Sequence, residues 1–159
     1  MKLRHGKVKR FQNFTWQGVK IQPYKEGTGN FRGVVRQVLA GKTPDEKVRF
    51  ELRYFELAPG GYTSLERHAH EHVVIVLRGE GYVLIGEEVV RVHPFDLVYT
   101  RPFALHRLMN ASTTEPFGFL CTVDRERDRP RYPSPEEIQD LLARHPHLAF
   151  ILTPEKPLP

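Results

Sequence analysis

Along most of the chain, short runs of alternating apolar and polar residues are separated by Gly, Pro and Asn about every ten positions. VKIQPY, FRGVVRQVLAG, VRFELRYFELAPGG, EHVVIVLRGEG, YVLIGEEVVRVHPFD, LVYTRP, LHRLMN and EPFGFLCTVD are rich in Val, Leu, Phe and Tyr. That texture predicts an antiparallel sandwich or barrel. In VRFELRYFEL, Val48, Phe50, Leu52 and Tyr54 alternate with Arg49, Glu51 and Arg53, which predicts one inward and one outward face. RGEG (78–81) and IGEE (85–88) have the composition of hairpin turns. HPFD (93–96) is a further turn, its aspartate able to accept from nearby backbone.

One segment has the helical period. In SPEEIQDLLARHP, Ser134 can cap, Pro135 suits the first helical position and Glu137 completes a capping box. Ile138, Leu141, Leu142 and His145 form one stripe and Pro146 ends the run. That stripe is expected to pack on the outside of the β unit. In the tail HLAFILTPEKPLP, Leu148, Phe150 and Leu152 alternate, which predicts an edge strand or an arm toward a neighbouring subunit. The expected organisation is an N-terminal extension over 1–29, a β-barrel over 30–124, and a helix and tail over 125–159.

Length and composition narrow the class. A chain of 159 residues, 40% hydrophobic and 27% charged, suits one soluble domain with a real core. No apolar run approaches the roughly 18 residues of a membrane span. MKLRHGKVKRFQNF has no apolar segment of the signal-peptide kind. A single cysteine, Cys121, fits a reducing compartment, so a cytoplasmic setting without membrane contact is expected. The net charge of +5 comes partly from Arg125, Arg127, Arg129 and Arg131, but Asp124, Glu126 and Asp128 interleave with them. Without a nucleic-acid-binding signature, these groups are expected to form a solvated surface, and a nucleic-acid partner is not expected.

The candidate chemistry lies in ERHAHEH, 66–72. Glu66, His68, His70 and His72 occupy every second position, and a strand would turn them to one face. A strand returning from RPFALHRLMN could bring His106 opposite. Several imidazoles with one carboxylate suit a borderline divalent transition metal.

GYTSLERHAHEHVVIVLRGEG resembles the first metal motif of the cupin superfamily, and DLVYTRPFALHRLMN is similar to the second, with Pro102, His106 and Asn110 in the matching places. The likeness spans most of 30–124. It implies a double-stranded β-helix (jelly-roll) barrel, a bound metal and a homodimer. Counting back from Gly79 gives Glu66, His68, His72 and His106 as the implied ligands, with the carboxylate moved along the strand from its usual family position. A second register pairs His68 with His70 and takes His72 as the third ligand; alternation alone does not choose, since a bulge would re-aim either side chain. Iron or manganese is favoured as the ion, and nickel, copper or zinc fit the same donors.

Parity around the site suggests a cavity lined by Phe50, Leu52, Tyr54, Leu108, Asn110, Phe119 and Cys121, which would favour an apolar or aromatic chelating molecule. Tyr99 and Arg101 stand near the expected mouth. The resemblance therefore implies a metal-dependent oxygenase of the dioxygenase kind acting on a small-molecule substrate. A metal-dependent isomerase or lyase of a sugar or keto acid, or a non-catalytic ligand sensor, are the alternatives.

Overall fold

The computed structural model describes residues 1–26 and 30–155; positions 27–29 and the proline-rich end of the tail, 156–159, lie outside the described residues. Nine strands form one curled sheet: β5 (Gln22–Pro23), β6 (Arg32–Ala40), β7 (Phe50–Tyr62), β8 (His72–Arg78), β9 (Gly81–Ile85), β10 (Glu88–Val92), β11 (Leu97–Thr100), β12 (His106–Asn110) and β13 (Phe117–Asp124). Their order is β10-β9-β12-β7-β13-β8-β11, with β6 also on β7 and β5 on β6. This is the expected jelly-roll architecture, with all pairings antiparallel. Ahead of it lie two small hairpins, β1 (Lys2–Leu3) with β2 (Gly6–Lys7), and β3 (Phe11–Gln12) with β4 (Thr15–Trp16).

The thirteen-residue β7 joins the two halves. Its first part pairs with β13, and its end meets β12 at Tyr62–Met109. Strands β8 and β9 therefore lie on opposite sides of β7. RGEG does not close a hairpin between them, contrary to its composition; it hands the chain from one half of the sheet to the other. Gly79 is at φ +68°, and a Cβ there would lie 2.2 Å from the Pro116 carbonyl oxygen, so the crossing requires glycine. IGEE does form a tight hairpin, with Ile85 opposite Glu88. In HPFD, the His93 amide donates to Asp96 Oδ2 at 2.8 Å, as expected.

The inner face carries Val34, Phe55, Leu57, Val74, Val76, Val83, Phe117 and Phe119. A second cluster forms behind β9 and β12, where Leu65, Leu84 and Leu105 meet the C-terminal segment. Helix α1 (Pro135–Arg144) begins as its sequence dictates, with the Glu137 amide donating to Ser134 Oγ at 3.2 Å. Its Ile138, Leu141 and Leu142 join this outer cluster, as the stripe predicts. The tail differs from expectation. A 3-10 turn (Pro146–Leu148) and the short α2 (Ala149–Leu152) replace the predicted strand. Leu148, Ile151 and Leu152 are the buried residues, a spacing of three and four rather than two.

Arg107 explains why that tail docks. Its side chain is 1% exposed and donates to the carbonyls of Ile151 (2.8 Å), Leu152 (3.2 Å), Thr63 (2.9 Å) and Asn30 (2.7 Å). A guanidinium thus satisfies the last carbonyls of α2, where the helix dipole favours a cation.

Candidate metal centre

His72 opens β8, His106 opens β12, and His68 lies in the connection before β8. Glu66 exchanges both backbone hydrogen bonds with His106, at 3.1 and 2.9 Å, so the two residues are cross-strand neighbours. The curl of the sheet brings nitrogen atoms of His68, His72 and His106 within 4.8 Å of one another. His68 Nε2 and His72 Nε2 face each other at 2.7 Å.

Hydrogen bonding fixes how these rings point. His68 Nδ1 donates to the His70 carbonyl at 2.8 Å, and His106 Nδ1 donates to the Ala104 carbonyl at 2.9 Å. In the neutral ring, each such bond leaves Nε2 as a bare lone pair directed inward. His72 Nδ1 lies 3.1 Å from Cys121 Sγ, so it too can turn Nε2 inward. Burial holds all three imidazoles toward the neutral form: His68 falls to about 4, and His72 and His106 are lowered as well, with repulsion from neighbouring rings adding to the effect at His68 and His72. Neutral imidazole is the form that ligates metals. Two nitrogens each about 2.1 Å from one ion, at a right angle, would be about 3 Å apart, close to the separation of the His68 and His72 nitrogens. The donor set fits a divalent transition ion.

The two remaining candidates of the cluster have other partners. Glu66 is 7% exposed and ion-paired with Lys25. Its carboxylate lies on the wall of the same cavity, outside the three-imidazole group. His70 stacks on His68, with centroids 3.5 Å apart and planes at 6°. Its Nδ1 donates to Asp128 Oδ1 at 2.8 Å. Asp128 also accepts from the Ala69 and His70 amides at 2.8 and 3.2 Å, and these bonds hold its carboxyl well below the usual carboxylate range. His70 thus steadies His68 twice, through its ring and through its carbonyl.

The histidines stand in a cavity of ≈190 Å³ whose wall departs from the expected lining. Leu108, Phe119 and Cys121 do face it, whereas Phe50, Leu52, Tyr54 and Asn110 do not. On β7 the inward residues are Arg53 and Phe55, so the parity expected for this strand is inverted. The physical reason is that the outer face is covered as well. Tyr54 is 1% exposed under the N-terminal segment, with its ring 5.1 Å from Trp16 and 6.1 Å from Phe14. Phe50, which the alternation places inside, is 41% exposed. Asn110 ties strands and loops together instead. Its amide donates to the carbonyls of Leu57, Ala58 and Glu115, and its Oδ1 accepts from the Ser112 amide. Tyr99 is directed to Glu71 and, like Arg101, lies off the cavity.

Four cationic side chains on the wall were not legible as site residues: Lys25, Arg36, Arg53 and Arg127. Arg127 and Asp128 come from the stretch expected to be solvated surface. Arg125, Glu126, Arg127, Arg129 and Arg131 are exposed, as expected, while Asp128 is half-buried; Arg131 exchanges backbone bonds of 2.9 and 2.8 Å with Arg67.

Comparison with known proteins agrees with this architecture. A profile of the cupin domain matches residues 53–123. A curated relative from Rhodospirillum rubrum, 1-methylthio-D-xylulose 5-phosphate methylsulfurylase, is 41% identical over 139 residues, covering 87% of this chain and 86% of the relative. A solved cupin-2 domain from Rhodospirillum rubrum is 39% identical, with a TM-score of 0.78 and 91% of this chain and 95% of that one covered. A cupin 2 conserved barrel domain protein from Rhodopseudomonas palustris is also 39% identical, with a TM-score of 0.76 and coverages of 86% and 91%. Among the described residues no helix is long and apolar enough to cross a membrane. With a relative this similar over most of both lengths, and with a curled sheet carrying converging histidines, the chain belongs to the cupin superfamily.

Proposed function

We propose that this chain is a metal-dependent enzyme acting on a phosphorylated methylthio-ketose, as the name of its Rhodospirillum relative suggests. The observation that supports a metal is the 2.7 Å approach of two imidazole nitrogens, beside a third, in a buried pocket. With one ring carrying its proton on Nε2 this contact is an imidazole–imidazole hydrogen bond; with both lone pairs bare, the same separation suits two donors on one cation. His68, His72 and His106 would hold the ion, and Glu66 would supply the fourth ligand on release from Lys25. When bound, the metal supplies Lewis-acid polarisation of a substrate carbonyl.

The residues of the chain account for the rest. Burial of the imidazoles keeps them deprotonated at neutral pH, and His70 keeps the His68 ring aligned. The wall of β7, β8 and β13 shields the site from water, while Leu108 and Phe119 offer apolar contact to a methylthio group. Cys121 Sγ stands 3.1 Å from His72 Nδ1, beside the place where substrate would lie. Burial raises the Cys121 thiol, and the nearby Arg53 opposes that rise only in part.

This reading is preferred to a dioxygenase acting on an apolar substrate because the cavity wall carries four cationic side chains, Lys25, Arg36, Arg53 and Arg127, against the two carboxylates of Glu66 and Asp128. The test is turnover of 1-methylthio-D-xylulose 5-phosphate by the metal-loaded chain under strict anaerobiosis. Consumption without dioxygen, abolished by chelation and restored by metal, is the expected result. Consumption that requires dioxygen, with matching oxygen uptake, would return the oxygenase reading to first place.

A further inference from the structure

The cationic wall has a feature that the metal centre does not explain. Arg53 is 8% exposed and Arg36 half-buried, and the Nε of each is buried without a hydrogen-bond partner. Among the described residues neither forms an ion pair: Lys25 is matched by Glu66, Arg127 by Glu51 at 3.0 Å, and these two by nothing. Arg67 and Arg78 share the unpartnered Nε but are ion-paired with Glu137 and Glu56; a buried guanidinium that lacks both an Nε partner and an ion pair is costly and calls for an acceptor.

The sheet register sets the two side by side. Arg36 on β6 lies opposite Phe55 on β7, and Val38 lies opposite Arg53. Arg36 and Arg53 are therefore diagonal neighbours on the inner face, close enough for two long side chains to meet one ligand. Arg53 also stacks over the Phe55 ring at 5.0 Å, and its Nη2 donates to Cys121 Sγ at 3.4 Å. Both contacts restrict its guanidinium while leaving Nε free. Arg36 is lowered by burial and then by the Arg53 charge, with Glu51 opposing and Arg127 adding a smaller push in the same direction as Arg53.

We propose that Arg36 and Arg53 form an anion subsite for a phosphate monoester. Planar guanidinium groups match phosphate oxygens in bidentate geometry, and a dianion neutralises two of them. The subsite is one side chain from the metal centre, because Cys121 touches both Arg53 and His72. A ligand anchored by its phosphate would reach the histidines with its other end. The anion site stands on the orphaned guanidiniums; its occupation by the substrate's own phosphate rests on the function proposed above.

The probe is inorganic phosphate, titrated into the metal-loaded full chain and followed calorimetrically, with elemental analysis of each variant. Saturable binding is expected in the wild type, weakened at least about tenfold in Arg36→Gln and in Arg53→Gln. It should be retained in Arg91→Gln, which removes an exposed arginine paired with Glu80. Arg36→Lys, which keeps the charge without the fork, should recover part of the affinity. Arg36 is the less buried of the two, so Arg36→Gln decides the matter if Arg53→Gln does not fold. Absence of saturable binding in the wild type, or equal binding by Arg36→Gln, overturns the subsite. If phosphate binding depends on the arginines but the methylthio-ketose phosphate is not consumed, the subsite stands and the proposed activity fails. If that substrate is consumed with a KM indifferent to Arg36→Gln, the activity stands and the subsite fails.

Discussion

His68 is held on three sides: its Nδ1 by the His70 carbonyl, its face by the His70 ring and its Nε2 by His72. This restraint separates the roles of the two alternate-position histidines. His72→Ala removes a donor and is expected to abolish tight metal binding, whereas His70→Ala should lower the affinity by roughly 10- to 100-fold, as loss of a ligand-orienting partner does. Equal losses, measured by chelator competition, would make His70 a direct ligand. The same residues set a pH dependence. Burial depresses the imidazoles, His68 to about 4 from an ordinary 6.5, so between these values the unfolded chain takes up protons that the fold refuses. Stability of the metal-free protein should therefore rise with pH across that window and level off above it. Thermal melts of the chelated chain at pH 5 and pH 7.5 check this, and a higher Tm at pH 5 would contradict it.

At the scale of elements, the sequence is most readable where one face alone is buried. Helix α1 has one apolar stripe and a local cap, and both are where the residues put them. Ser134→Ala is expected to cost about 1 kcal/mol in chemical denaturation. Strand β7 is the opposite case. Apolar residues change phase between Tyr54 and Phe55, because the N-terminal segment buries one face and the cavity lies against the other. Alternation cannot separate two buried faces, and so Arg53 reads as solvent-exposed when it is 8% exposed. The tail fails for a different reason. Leu148, Ile151 and Leu152 fit a helical turn as well as Leu148, Phe150 and Leu152 fit a strand, and the deciding contact is Arg107, 44 positions from Ile151. Loss of that guanidinium leaves several buried carbonyls without a donor, each worth about 1–3 kcal/mol. Arg107→Ala is expected to destabilise the fold by about 3 kcal/mol or more in the same assay, and a change under about 1 kcal/mol would show that the tail docks by apolar packing alone.

For the whole molecule, the curled sheet converts separations along the chain into contacts. The histidine spacing and the cupin resemblance made the metal candidates legible, since His68 and His72 lie close in sequence and His106 stands in a recognisable second motif. The cationic wall was illegible because it draws on the segment after β5, on β6 and β7, and on the segment after β13, whose meeting depends on register and bulges rather than on local pattern. The central claim is that His106 joins His68 and His72 around one ion, and metal stoichiometry tests it most directly. Wild type and His106→Ala, equally folded by circular dichroism and equilibrated with the same limiting metal, should differ, with close to one tightly held transition ion per wild-type chain and almost none in the variant. Full occupancy of His106→Ala at unchanged affinity would contradict the account.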